Sequence, residues 1–382
     1  MSFKKIVRSP SFGLMTFDGV VGELIETPEF QRLTTIRQLG PMYLVYPGTH
    51  HSRSLHAMEV SHIATNLGKK LKLSDKDILL LGCAGLLHDI GHGPYSHATE
   101  ILYHDLYRKD HMDYTCSLIK GSVKLELPES ESSFIDLGKI PKILKRYNIS
   151  PVDISDLIRK RYTKKPYLQE LIFGSIDVDQ LAFLLTDSRF SGVNYGDVSL
   201  DTLSEFFSVQ DIPGKGKHLV ASEKAIPAIK DMIMARLSMY NFYLTDTGLV
   251  IGNMIQTGIK RAIATGEIKH FHVYTDDEIR TLLLNSKDPI ARKMAAGIKY
   301  RKLFKIAYKI PPIFNSKQKD YIKDLKRRGY SGMSSEFHKN HEEELNILSK
   351  LGVDRLRTMV FEKINAKGLD IDEIFINMKS LK

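Results

Sequence analysis

Only two cysteines, Cys83 and Cys116, occur in 382 residues, which excludes a disulfide framework, and neither belongs to a CxxC pair. Both read as small buried hydrophobes. The chain also lacks an uninterrupted apolar run of about 20 residues, the length a membrane span requires. It has no cationic leader followed by an apolar core and a small-residue cleavage site. These absences lead to the expectation of a cytoplasmic protein with no membrane association. Repeats and low-complexity tracts are scarce. The one biased stretch, near 121–133 and containing ELPESESS, reads as a surface loop or insertion.

What is present is the balance of an ordinary globular chain, 42% hydrophobic and 26% charged, enough for one large domain or two modest ones. The formal net charge of +10 is compatible with nucleic acid, an anionic surface or small polyanions as partners. Its two concentrations lie at 139–165 (Lys139, Lys142, Lys145, Arg146, Arg159, Lys160, Arg161, Lys164 and Lys165) and at 317–328, KQKDYIKDLKRR. The second reads as a basic surface helix with Tyr321, Ile322 and Leu325 turned inward.

Helical punctuation is frequent. Thr27-Pro28 predicts a helix start running through EFQRLTTIRQLG to Gly40-Pro41. A second helix is expected from about Ser54 and carries His56 beside its apolar stripe. Ser74, followed by Asp75 and Asp77, predicts a capped and buried helix. Further helices are expected over about 175–188, over 225–243 with a methionine-rich core face, from Thr275 onward and within 342–382. KHFHVYT, 269–275, alternates like a short strand.

The chemistry concentrates in LLHDIGHGPYSHATE, residues 86–100, where three histidines and two carboxylates follow an apolar run. His88-Asp89 places an imidazole beside a carboxylate, as metal sites require. Gly91, Gly93 and Pro94 then break the helix and let the backbone turn near whatever the histidines surround. Further along, Asp177, Asp179 and Asp187 interrupt a hydrophobic helical pattern. Asp179 and Asp187, eight positions apart, lie on nearly the same helix face. Carboxylates are rarely buried without a partner, so each is a salt bridge, a cap or a ligand.

In this order, TPEFQRL, IRQLG, YLVYPG, HHSRSLH, LLHDIGHGPYSHATE and IDVDQLAFLLTDSRFSGVNYG resemble the motifs of the HD-domain phosphohydrolase superfamily. The resemblance is closest to its deoxynucleoside triphosphate triphosphohydrolase branch and spans roughly residues 10–265. It implies a mainly α fold, an HD-domain helical fold with a few short strands in the C-terminal part. Residues 1–265 would form the HD core, with an N-terminal extension and the surface insertion near 121–133. Residues 266–382 would form a mixed, mainly helical region packing on it.

By this resemblance His56, His88, Asp89 and Asp179 coordinate a divalent metal ion; the mixed nitrogen and oxygen set suits Mn, Fe, Mg, Zn, Ni or Co. His92, His97 and His111 surround the phosphate chain, with Glu100 orienting His97. Gln38 reads the sugar edge, Arg53 grips phosphate, Asp187 accepts from the 3'-hydroxyl, and Arg236, Tyr240 and Tyr243 close the pocket. The implied reaction is hydrolysis of a dNTP to deoxynucleoside and triphosphate, by a homo-oligomer (dimer, tetramer or hexamer). The chain departs from the branch at Gln180, where a cation is usual, at Phe183, where an aromatic hydroxyl is common, and at Ser54 and Glu59, where phenylalanine and glycine are usual. Thr34 stands where the branch's nucleotide-activation site has an arginine. These departures keep two alternatives open: an HD phosphohydrolase acting on another nucleotide or phosphoester, and a nucleic-acid-binding protein or nuclease using the basic surface.

Overall fold

The computed structural model describes residues 4–127, 133–174, 176–195, 198 and 204–304. The expected basic helix at 317–328 and the helices within 342–382 lie outside the described residues. The chain opens with an antiparallel hairpin, β1 (Lys4–Ser9) and β2 (Gly13–Asp18), in register Lys4 to Asp18. Then come α1 (Gly19–Ile25) and the short α2 (Pro28–Gln31). The long antiparallel pair α3 (Arg53–Lys70) and α4 (Asp75–Leu87) follows. Next are α5 (Glu100–Tyr107), α6 (His111–Lys120), α7 (Ile140–Arg146), α8 (Pro151–Ile158), α9 (Pro166–Phe173) and α10 (Val178–Ser191). A second hairpin, β3 (Phe207–Ile212) with β4 (Gly216–Ala221), precedes α11 (Ile226–Tyr243), α12 (Asp246–Ala264), α13 (Asp276–Leu284) and α14 (Pro289–Lys299). The fold is mainly α, as expected. No helix among the described residues is long and apolar enough to cross a membrane.

Local chemistry sets the ends of the elements that matter. Ser52 caps α3 by accepting from Leu55 N, and Ser74 caps α4 by accepting from Asp77 N. Asp177 caps α10 by accepting from Gln180 N, so of the three aspartates in that segment this one is a cap. The Cβ of an alanine at Gly85 would lie 3.0 Å from the Ser61 backbone, so the glycine is what lets α4 approach α3 so closely. Leu80, Leu81, Ala84, Leu86 and Leu87 are buried on α4 together with Cys83; Cys116 is buried on α6, and both thiols are free.

Two expected elements differ. The helix beginning at Pro28 ends at Gln31, passes through a 3-10 turn at Arg32–Thr35 and becomes extended at Ile36 (φ −108°, ψ 119°). There the chain pairs with the segment before α3, through Arg53 N to Ile36 O (2.9 Å) and Gln38 N to His51 O (3.0 Å). Long-range backbone pairing thus overrides a helical apolar spacing. KHFHVYT is not a strand: Phe271–Val273 forms a 3-10 turn, and the carbonyls of His272 within it and Tyr274 after it accept from Arg32.

One contiguous core runs from Met15 and Phe17 in β2 to Ala291 and Ala295 in α14, so residues on both sides of position 265 share it. A second cluster joins Leu181 and Leu184 of α10 to Met232, Met239 and Phe242 of α11. The methionine-rich face of α11 is therefore core. The basic 139–165 stretch is largely neutralised locally: Lys139, Arg146, Arg159, Lys164 and Lys165 each face a carboxylate.

The N-terminal hairpin is fastened to this core by a buried acid. Ser9 Oγ donates to Glu59 Oε1 (2.6 Å) and Thr186 Oγ1 to Glu59 Oε2 (2.7 Å). Glu59 is fully buried, and that burial, against the help of both hydroxyls, pushes its carboxyl from 4.5 up to about 7. Because the folded chain holds the Glu59 proton more tightly than the unfolded chain, this contribution is complete below about pH 4.5. It is lost as pH rises through about 7. Glu59→Gln mimics the protonated acid. Relative to this variant, the unsubstituted protein is expected to lose up to about 3 kcal/mol between pH 5 and 8 in denaturant unfolding. Parallel stability curves for the two proteins would refute the burial argument.

Candidate metal centre

The α3–α4 packing brings the first turn of α3 against the end of α4, and α10 closes the third side. His56 lies in the first turn of α3, His88 and Asp89 follow directly on α4, and Asp179 lies in the first turn of α10. His56 Nε2 is 3.0 Å from Asp179 Oδ1 and 3.8 Å from Asp89 Oδ2. His88 Nε2 is 3.3 Å from Asp89 Oδ1 and 3.7 Å from Asp179 Oδ1. His88 Nδ1 donates to Gly85 O at 2.7 Å, which fixes the tautomer and turns Nε2 toward the carboxylates. Donor atoms of His56, His88 and Asp89 lie within 4.8 Å of one another.

Electrostatics shows what this pocket wants. Burial would lower the His88 imidazole, but Asp89 and Asp179 raise it to about 9. Burial would raise Asp89, but Arg53, His88 and His92 hold it well below the usual carboxylate range. Asp179 is likewise held low against its burial, chiefly by the hydrogen bond from His56 and the charge of His88. Two ionised carboxylates around two imidazoles call for positive charge at their centre. The donor set therefore fits a divalent ion with open positions.

A second cluster adjoins through Asp89, whose Oδ1 is 3.5 Å from His92 Nε2. The His92 and His111 rings stack, centroids 3.8 Å apart, and His97 meets His92 edge-on at 5.0 Å. His92 is buried with neither ring nitrogen hydrogen-bonded. Burial, reinforced by Arg53 and His111, drives its pKa well below the ordinary value, so the ring is neutral. Glu100 accepts hydrogen bonds from His111, from Nδ1 at 2.8 Å and from the backbone at 3.2 Å. A 3-10 turn at Ser96–Thr99 separates His97 from the helix that Glu100 begins, so the two do not share a regular helix face. Burial opposes ionisation of Glu100, but His111 overcomes it and lowers the carboxyl to about 2. Glu100 still contributes to a group with His92 and His97 whose donor atoms lie within 4.8 Å.

The residues expected to contact substrate have the following partners. Arg53 is buried, with Nε on Ser96 Oγ (2.7 Å) and Nη1 on Asp89, so it holds a carboxylate of the candidate metal centre. Its Nη2, the Gln38 Oε1, both His92 nitrogens and Glu100 Oε2 are all buried without a hydrogen-bond partner. Such a concentration of unsatisfied polar atoms is the mark of a site that receives a polar ligand. Asp187 accepts from Tyr243 OH at 2.7 Å, which settles which tyrosine of α11 reaches it, and it meets His51 Nε2 at 2.8 Å. Tyr240 stands one turn earlier, partly buried. His51, stacked on Phe190 (4.5 Å), escaped the sequence reading; only its place in the HHSRSLH loop hinted at it. Arg236 donates to Gln180 Oε1 at 3.1 Å, so the amide that replaces the usual cation is tied to another cation.

A family model described as the HD domain matches residues 53–160, and one described as the HD associated region matches 209–329. The first match brackets His56, His88, Asp89, His92, His97, Glu100 and His111, while Asp179 lies beyond it. The chain is 28% identical over 377 residues to the deoxynucleoside triphosphate triphosphohydrolase SAMHD1 of Homo sapiens, covering 87% of this chain and 58% of that protein. It is 31% identical over 247 residues to the uncharacterized protein YwfO of Bacillus subtilis (63% and 51%). With MJ1154 of Methanocaldococcus jannaschii, also uncharacterized, it shares 26% over 369 residues (92% and 74%). The chain thus spans between about half and three quarters of these relatives' lengths. With two imidazoles and two carboxylates converging at the end of α4, the matched domain places the chain in the HD-domain phosphohydrolase superfamily.

Proposed function

We propose that this chain is a metal-dependent phosphohydrolase that splits deoxynucleoside triphosphates into deoxynucleoside and inorganic triphosphate. The observation that carries the reading is the sharing of Asp89 between the two-imidazole, two-carboxylate cluster and the His92–His111–Glu100 array. In this reading His56, His88, Asp89 and Asp179 hold the ion. When bound, it supplies Lewis acidity toward a phosphoryl oxygen and lowers the pKa of a coordinated water toward about 7.

The chain's own residues do the rest. Glu100 holds the Nδ1 proton of His111 and so leaves Nε2 for the phosphate chain. His92, kept neutral by burial, offers an N–H to a phosphate oxygen without competing for a proton. His97, exposed at the rim, protonates the leaving nucleoside oxygen or delivers the nucleophile. Arg53 Nη2 is a fixed donor beside the same space, and Gln38, Asp187 and Tyr243 contact the sugar. Similarity to triphosphohydrolases over most of the chain supports the triphosphate as substrate.

Gln180 favours the second reading, another nucleotide or phosphoester, since its amide adds no positive charge to the phosphate grip. Incubating the protein with each dNTP, nucleoside monophosphates and a cyclic nucleotide, under Mn, Mg, Fe or Co, separates the readings by product. Triphosphate plus deoxynucleoside supports the first, monophosphate cleavage the second, and intact substrates under every metal sink both. His97→Ala is expected to lower kcat by about 10²–10⁴ while metal content stays stoichiometric. If the substrate is a triphosphate, Gln180→Lys adds a charge-assisted bond of about 1.5–3 kcal/mol and lowers KM for it about tenfold or more. An equal effect on monophosphate substrates would count against triphosphate recognition at this position.

A further inference from the structure

We infer that Asp276 of α13 is a positioning residue for the metal centre: it fixes a strained turn that, through Ser96 and Arg53, sets the carboxylate of Asp89. The inference rests on the reading of His56, His88, Asp89 and Asp179 as metal ligands. It does not depend on what substrate the protein hydrolyses.

The strain lies at Tyr95 and Ser96, two consecutive non-glycine residues in the left-handed region (φ 59° and 53°). Such conformations persist only where the surroundings over-determine them. Here the surroundings are specific. Asp276, whose side chain is fully buried, takes Tyr95 N–H on Oδ1 at 2.6 Å. Its Oδ2 takes Arg37 N–H at 3.1 Å and the Arg37 guanidinium at 3.3 Å. The turn fits only because position 40 has no side chain: a Cβ at Gly40 would lie 2.3 Å from Tyr95 O.

From the turn the contacts run directly to the ligands. Ser96 Oγ donates to Arg37 O at 2.6 Å and accepts from Arg53 Nε at 2.7 Å. Arg53 Nη1 then binds Asp89 Oδ2. Thus one carboxylate from α13 fixes both the Tyr95–Ser96 backbone and the Arg37 carbonyl that orients the Ser96 hydroxyl, and the guanidinium on Asp89 leans on that hydroxyl. The same loop is gripped a second time by Arg32, which donates to Ile90 O and His92 O on one side and to His272 O and Tyr274 O on the other. The segment 272–276, in sequence far beyond the HD-domain match, therefore holds the loop that carries Asp89 and His92.

Asp276 cannot be replaced by its amide without loss. Both of its oxygens face donors, so in Asp276→Asn one of them meets an NH2 group. The test is metal affinity, measured by calorimetric titration of the apoprotein with Mn2+ and by the visible absorption of bound Co2+, alongside thermal unfolding. Asp276→Asn and Ser96→Ala are each expected to weaken Mn2+ binding about tenfold or more and to change the Co2+ spectrum. Asp277→Asn, which removes a neighbouring exposed charge from the same helix end, is expected to leave both unchanged. A merely structural role would lower Tm while the folded variants bind Mn2+ as the unsubstituted protein does, and that result overturns the inference. Should Asp276→Asn fail to fold, Ser96→Ala alone decides, because it cuts the relay without touching α13. An unsubstituted protein that binds neither ion removes the ligand reading and this inference together. Normal binding with no hydrolysis of any substrate removes only the proposed activity.

Discussion

The Arg53–Asp89 pair is buried at the contact of α3 with α4, and both partners are needed there: alone, either would be an uncompensated charge in the interior. Asp89 divides its two oxygens accordingly. Oδ2 faces Arg53 and, more distantly, His56; Oδ1 faces His88 and His92. This places one carboxylate between a fixed guanidinium, the ligand cluster and the histidine array, and it requires the start of α3 to sit against the end of α4. The close approach at Gly85 permits that placement, and the serine caps at Ser52 and Ser74 define where each helix begins.

Around this pair the charges are arranged by partner and not by exposure. Glu100 and His92 are both largely buried, yet one is held ionised and the other neutral, because Glu100 accepts two bonds from His111 while burial, with Arg53 and His111 nearby, outweighs the Asp89 carboxylate at His92. The contrast assigns them opposite uses: an anchored anion that fixes one imidazole, and an uncharged imidazole left free to donate. Each oxygen of Asp187 has a partner, His51 on one and Tyr243 on the other, whereas the Gln38 amide oxygen is buried without a hydrogen-bond partner. Gln180 brings an amide where the resembling branch has a cation, and that amide accepts from Arg236.

The departures at Glu59 and Gln180 belong to different layers of the molecule. Glu59 fastens the N-terminal hairpin to α10 just before Asp187, and it is a feature of stability. Gln180 lies next to Asp179 and ties Arg236 of α11 to the start of α10.

Much of this was legible in the chain itself. Side-chain caps, apolar periodicity and the HD dipeptide are local signals, so α3, α4, α10 and α11 fell within a few residues of their expected bounds, and the four ligand candidates do meet. Local signals could not show that the Pro28 helix would stop at Gln31 or that KHFHVYT would form a turn. Both segments answer to partners more than two hundred residues away: Arg32 to the carbonyls of His272 and Tyr274, and Arg37 to Asp276. The bond of Glu100 to His111, the pairing of His51 with Asp187 and the clamp on the Tyr95–Ser96 turn likewise arise only when distant elements pack. The sequence by itself determined which residue types could bind a metal and move protons. Which imidazole each carboxylate holds was decided by the tertiary structure, because a hydrogen bond is set by distance and direction between side chains that chain order does not encode.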